Sequence, residues 1–232
     1  MNIKQNINYF KKSESTKLIG IGLVILGFVL FYFGWGWISY ILMSLSIPVG
    51  VVLFIIGSSG RSDESVIETC IQNGTEGLEL ELEKDTKYKK RILKHISPET
   101  VEGYEYNEGV MLKKSKSGSL QSSEYTKAII YILSDAIYVN ARTVSVVSEQ
   151  VKNTTVEIPY GMITKFAVEQ EEKSLTFMKK TFEVQPFRLV IEYGDGLSLS
   201  LPINNSINSD CFVEKINKLI EEYKRSENSE LI

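Results

Sequence analysis

The chain has 232 residues, 43% of them hydrophobic and 24% charged, with a formal net charge of −3. From Arg61 onward, 22 Lys and Arg face 28 Asp and Glu, a net of −6, which excludes general nucleic-acid binding because that needs a basic face. One histidine and two distant cysteines cannot build a His/Cys metal cluster, and no P-loop, Gly-x-Ser-x-Gly or His-Glu-x-x-His sequence occurs.

Residues 1–17 are polar. Lys4, Lys11, Lys12 and Lys17 stand against Glu14. They read as a flexible or interfacial cytoplasmic tail whose lysines touch anionic headgroups, each contributing about 1 kcal/mol.

Residues 18–60 contain no charged side chain. Leu18–Gly34 would make a helix of roughly 26 Å and Ile38–Gly57 one of roughly 30 Å, against a bilayer core of about 30 Å. Trp35-Gly36-Trp37 separates them as a tight turn, with Phe31, Tyr32, Phe33 and Tyr40 forming an aromatic belt beside it. The pattern predicts a transmembrane helical hairpin. Its basic flanks, the tail lysines and Arg61, place both ends in the cytoplasm. A cleaved signal peptide followed by one span is the rival reading, but the run ends in bulky aromatics rather than a small-x-small cleavage site. With no charge inside the membrane there is no proton relay or ion site, so the hairpin reads as an anchor.

Gly20, Gly27 and Gly34 recur every seven residues on the first helix. Ser39, Ser46, Gly50 and Gly57 form a similar seam on the second. Small residues let membrane helices approach closely. The seams serve either packing within the hairpin or dimerisation between chains. Pro48 frees the carbonyl of Ser44 and is expected to kink the second helix.

Residues 61–97 read as a linker helix leaving the membrane. Ser62 is the expected cap, and Val66, Ile67, Cys70, Ile71, Leu78 and Leu82 lie roughly on one face. Asn73-Gly74 and Gly77 weaken that reading, and the alternation from Leu78 to Glu83 also suits a strand. Lys84, Lys87, Lys89, Lys90, Arg91 and Lys94 follow as a basic run. That run is either a contact with anionic lipid or a solvated helix end. His95, without catalytic partners, reads as a helix-end residue. Cys70 and Cys211, reduced in a cytoplasmic setting, read as buried small apolar residues.

Residues 98–226 read as strands and a closing helix. Candidate strands are Val101–Tyr106, Val110–Lys114, Tyr125–Leu133, Ala136–Val147, Thr154–Ile158 and Ile163–Gln170. Leu175–Met178 and Thr181–Val184 follow, with Lys179-Lys180 between them. Phe187 to Tyr193 and Leu197 to Leu201 alternate, with Arg188 and Glu192 on the polar face. Ser115–Ser123 reads as a loop. Such hairpin-linked strands imply an antiparallel sheet or small barrel. Phe212, Ile216, Leu219, Ile220 and Tyr223 then make one apolar stripe on a helix capped by Asn208 or Ser209. Residues 227–232 are expected to fray.

Two stretches carry a resemblance. Tyr131-Ile-Leu-Ser-Asp-Ala-Ile-Tyr-Val139 resembles the strand–turn–strand of bacterial PH-like and GRAM-like domains. Val156-Glu-Ile-Pro-Tyr-Gly-Met-Ile-Thr-Lys-Phe-Ala-Val168 is similar to their "IPY…I…V" segment. The whole chain resembles membrane-anchored proteins with a PH-like domain from low-GC Gram-positive bacteria. It departs from them at Ala136, where a basic residue often stands, and in the added Lys179-Lys180 hairpin. The resemblance implies an α+β chain: a two-helix transmembrane hairpin, a linker helix, and a PH-like antiparallel β-barrel or sandwich closed by a C-terminal amphipathic helix. It brings no catalytic residues, cofactor or metal. By analogy with lipid-binding PH domains, Lys113, Lys114 and Lys116 would hold an anionic headgroup, with Lys87, Lys89, Lys90 and Arg91 as a second basic contact. The alternative for the first cluster is a solvated hairpin loop.

The expected function is therefore a non-enzymatic interaction module of the cell membrane. It would present a cytoplasmic domain to a protein partner or anionic phospholipid. A signalling or envelope-stress component and an enzyme with an unrecognised site are the other classes.

Overall fold

The computed structural model describes residues 2–11, 15–33, 36–78, 88, 90–93, 96–204 and 206–229, and forms two compact units, residues 1–67 and 68–232. Readings that fall on Lys12, Glu14, Gly34, Trp35, Leu82, Glu83, Lys84, Lys87, Lys89, Lys94 and His95 lie outside the described residues.

In the first unit the tail, expected to be flexible or interfacial, forms a helix, α1 (Ile3–Lys11). Ile3, Ile7 and Phe10 recur at i, i+4 and i+7, and Tyr9 and Phe10 are buried. Buried Asn6 accepts a hydrogen bond from the Ser62 hydroxyl at 2.5 Å, the Ser62 N–H donates to the Gln5 carbonyl, and the Asn8 amide donates to the Gly60 carbonyl at 2.7 Å. Ser62 is thus committed to α1 and does not cap the next helix. The Asp63 carbonyl instead accepts the first N–H groups, of Val66 and Ile67.

Helices α2 (Ser15–Phe33) and α3 (Trp37–Ser58) are each long and apolar enough to cross a membrane. Leu26, Phe28, Leu45 and Ile55 point outward from the pair with about half their surface free, a face suited to lipid. The inner seam is made of small residues. Gly20 meets Gly50 and Phe54, Gly27 meets Ser46 and Ile47, and Gly57 meets Lys17, so the two helices run antiparallel. α3 continues through Pro48, and Ser44 bonds back to the Ile41 carbonyl at 2.8 Å.

A Cβ on Gly20 would lie 2.5 Å from the Phe54 nitrogen and 2.7 Å from the Gly50 oxygen, both backbone atoms that cannot swing aside. Gly20→Leu should therefore force the helices apart and cost about 1–3 kcal/mol of overpacking. Gly22→Leu is the control, since nothing lies within 4 Å of its Cβ position. Unfolding by SDS titration in micelles reads the difference; equal midpoints for the two variants would refute this packing.

The second unit contains, in chain order, β1 (Glu99–Tyr104), β2 (Leu112–Lys114), β3 (Leu120–Ser122), β4 (Glu124–Ile132), β5 (Ala136–Ser145) and β6 (Val151–Pro159). Then come β7 (Ile163–Gln170), β8 (Lys173–Phe177), β9 (Lys180–Val184), β10 (Phe187–Tyr193), β11 (Leu197–Ile203) and helix α5 (Ser206–Ser229). One sheet has the order β1-β4-β5-β6 and the other β11-β10-β7, with antiparallel pairing throughout. β2-β3 and β8-β9 are separate two-stranded ribbons. Each ribbon prolongs a hairpin of a sheet: β2-β3 lies between paired β1 and β4, and β8-β9 between paired β7 and β10.

Of the expected barrel or sandwich, the closed barrel does not form. Where β1 meets the end of β11, the Asn204 N–H donates to the Glu102 carbonyl. Pro202, which has no N–H to extend a ladder, packs there against Gly103, where a Cβ would come within 3.0 Å of it. The two sheets and α5 instead enclose one core. Ala128, Ile130, Ile132, Ile137 and Val139 come from the first sheet, Phe166, Leu189, Ile191 and Leu201 from the second, and Phe212, Ile216 and Ile220 from α5. The Asn217 amide donates to the Phe166 carbonyl and the Lys224 ammonium to the Ile163 carbonyl at 2.6 Å, fixing α5 along β7. α5 starts before the expected caps Asn208 and Ser209, and it runs past residue 226, where fraying was expected. Cys211 lies one position off the buried stripe and is exposed, and Cys70 is half-buried, so neither is the fully buried apolar residue expected.

β4 and β5 are buried on both faces, which explains their near-continuous apolar runs. Ile129, Tyr131, Leu133, Ala136 and Tyr138 face away from the main core and pack with Leu78, Tyr88 and Ile92. This corrects the linker helix. The helix, α4 (Glu64–Thr75), is short and ends before Gly77, whose φ of +79° suits the left-handed stop. Leu78, Tyr88 and Ile92 then cover the outer face of the sheet, with Ile92 bridged to Leu133.

Candidate functional site

The lysine cluster sits on the ribbon β2-β3. Lys113 pairs with Gln121 and Lys114 with Leu120, leaving residues 115–119 as the turn. Successive strand residues point to opposite faces, so Lys113 and Lys114 diverge. Lys113 is half-buried; Lys114 and Lys116 are exposed. The three lysines are therefore brought to one tip but do not converge as a set.

The turn itself is rich in hydroxyls. Ser115 Oγ lies 2.7 Å from both Ser117 Oγ and Ser119 Oγ, which are 3.1 Å from each other. Gly118, at φ +90°, makes the reversal possible. The Tyr106 hydroxyl braces the ribbon by donating to the Leu120 carbonyl at 2.6 Å; burial pushes this phenol up to about 12, so it stays a donor. Two exposed ammonium groups beside three hydroxyls make a donor-rich tip, chemically suited to an oxyanion such as a phosphate.

The second basic group divides differently. Lys90 is exposed, while Arg91 is committed. Its guanidinium bonds Asp135 through Nε at 3.0 Å and Nη2 at 2.8 Å, and Glu157 through Nη2 at 2.7 Å. Hydrogen bonds to Glu157 and then Asp135 raise its pKa further and hold it charged. Arg91 thereby ties the covering segment to the β4–β5 turn and to β6. The same turn is fixed from below by the Tyr160 hydroxyl, which donates to the Leu133 carbonyl at 2.8 Å; burial first, and the Asp135 charge second, push it up to about 12.

The polar constellation that sequence reasoning missed links the two sheets. Arg188, expected on a polar outer face, is 6% exposed. Its Nη1 donates to Glu105 Oε2 at 2.8 Å, its Nε to Ser200 Oγ at 2.6 Å, and its Nη2 to the Ser200 carbonyl. Glu105 Oε1 accepts from Thr126, which also meets Thr143 at 2.7 Å. Every arm of the pair is satisfied, which is the arrangement of an inter-sheet lock rather than of a reacting group. The countercharge comes from Glu105, 83 residues away, so period-2 reading could not find it.

An open groove of roughly 330 Å³ lies at the end of α4, lined by Gln72, Asn73, Thr75, Glu76, Gly77, Leu78 and Lys127. It holds one carboxylate, Glu76. Among the described residues no three His, Cys, Asp or Glu side chains converge as a metal site. No protein-family model matches this chain, nor does any curated protein or solved structure.

Proposed function

We propose that the chain is a membrane-anchored, non-enzymatic interaction module. The α2–α3 pair holds it in the cell membrane with both ends cytoplasmic. The second unit is a PH-like domain that holds a partner at the inner leaflet, with the β2-β3 tip as the contact for an anionic headgroup phosphate. The observation that carries this reading is the pair of long apolar helices, charge-free from Leu18 to Gly60, packed inward on glycine and apolar outward. The sheet order of four and three strands with a closing helix supports the PH-like assignment, as does the strand–turn–strand at Ser134-Asp135. A protein partner is the second reading, favoured by the net charge of −6 beyond the hairpin, which an anionic leaflet repels overall.

Flotation of residues 62–232 with anionic and neutral vesicles at two salt concentrations tests the contact. Lys114→Ala with Lys116→Ala should weaken binding to anionic vesicles at low salt by about thirtyfold, from about 1 kcal/mol per lysine. No binding to anionic vesicles at low salt would sink the lipid contact and leave the protein partner. Unchanged binding of the double variant would remove the tip from the site.

A further inference from the structure

The ribbon β8-β9 is amphipathic. Its register sets Lys173 opposite Val184, Leu175 opposite Phe182 and Phe177 opposite Lys180. Strand alternation therefore gathers Leu175, Phe177, Phe182 and Val184 on one face, with Lys173 and Lys180 at its two ends, and Ser174, Thr176, Thr181 and Glu183 on the other. The four apolar side chains are partly buried, less open than the polar face, and belong to neither hydrophobic cluster of the domain. At the tip, Met178 is 56% exposed, next to the exposed Lys179 and Lys180.

The tip backbone is also unusual. Met178 has φ +49° and Lys179 φ +63°, two successive left-handed residues in a two-residue hairpin turn. That turn geometry favours Asn-Gly. Here it carries a long apolar side chain and a long cationic one, held outward in a conformation their Cβ atoms disfavour. Strained, exposed and chemically specific positions of this kind belong to contacts.

We infer that the β8-β9 ribbon docks on an anionic bilayer surface, laying Met178 and the apolar face into the headgroup boundary while Lys179 and Lys180 meet lipid phosphates. The inference rests on the membrane-anchor reading and adds a second contact to it. Apolar side chains flanked by lysines match an interfacial element, whose lysine stems lie along the apolar zone with their charges in the headgroups. Two five-residue strands are too small for a stable protein–protein interface, which buries about 800 Å² per partner. A domain tethered to the membrane needs only a weak patch, because the tether raises its effective concentration at the surface.

The test uses the full chain in lipid nanodiscs. Met178→Cys is placed in a Cys70→Ser, Cys211→Ser background and labelled with an environment-sensitive fluorophore. In anionic discs the label should shift to the blue and be quenched by lipids spin-labelled near the headgroup. Both signals should be lost in neutral discs, at high salt, and in the Lys179→Glu, Lys180→Glu variant. A label on Thr176→Cys, on the polar face, should stay in water. A Met178 label that is equally wet in neutral and anionic discs overturns the docking and leaves the anchor standing. A blue shift without lipid quenching means a protein contact, a second copy included, and also overturns it. A chain that does not enter discs at all overturns the anchor and the docking together. A Met178→Asn, Lys179→Gly variant, whose turn suits this hairpin better, separates the tip from ribbon folding: with the label moved to Phe177→Cys, quenching should still be lost.

Discussion

Glu105→Ala should destabilise the β domain by about 3–5 kcal/mol, the cost of stranding one member of a buried ion pair. The substitution leaves the buried Arg188 guanidinium with Ser200 but without its countercharge, and it also removes an acceptor of Thr126. The penalty comes from the charge left behind, not from the strength of the pair. Hence the double variant Glu105→Leu, Arg188→Met, which replaces both charges by apolar groups, should recover most of the loss. Urea unfolding of the detergent-solubilised chain, followed by tyrosine near-ultraviolet dichroism, reports chiefly on the domain, because nine of the twelve tyrosines lie beyond residue 67 and both tryptophans before it. A wild-type midpoint for Glu105→Ala, or a double variant weaker than the single one, would contradict the lock.

The second large effect is expected at Ile216, which is fully buried where α5 closes the core. Ile216→Ala should cost about 2–5 kcal/mol through lost burial and the cavity left behind. Alanine is the better helix former, so none of this loss can come from helix propensity. Hydrogen exchange gives the finer reading. If α5 is part of the cooperative unit, amides of β7 and β10 should lose protection together with those of α5. Loss confined to α5 would mean that the helix is an accessory to a sheet pair that stands without it.

The hairpin and most strands were legible because their signals are local. An uncharged run longer than a bilayer needs no partner to be recognised, and Phe187 to Tyr193 alternates along its own length. The missed features depend on residues far away in sequence. β3 reads as part of a polar loop in sequence, since Leu120–Ser122 becomes a strand only by pairing with Leu112–Lys114. The turn of the β8-β9 ribbon falls at Met178-Lys179, not at Lys179-Lys180, because neither residue type announces a left-handed backbone. Helix α1 did carry a signal in Ile3, Ile7 and Phe10, but nine residues are too few to hold a helix without the Asn6–Ser62 contact. Arg91 belongs to a basic run by its neighbours in sequence, while its charge answers to Asp135 and Glu157. Of the lysine tip, composition could say that it is cationic; only strand register shows that Lys113 and Lys114 face apart.

Both ribbons grow out of hairpins whose strands already pair before the ribbon begins, at Tyr104 with Tyr125 and at Phe187 with Gln170. The sheet registers are therefore set without them. The ribbons differ in what they cover: β2-β3 buries Leu112, Gln121 and Ser122, whereas no residue of β8-β9 is fully buried, so β8-β9 can change in length or composition while the core contacts stay in place. That outgrowth is the fold's natural splice point. A descendant of this chain could replace it with a different recognition loop, or an engineer could graft a peptide there, without repacking the domain. Selection on what the domain touches can thus proceed almost independently of selection on whether it folds.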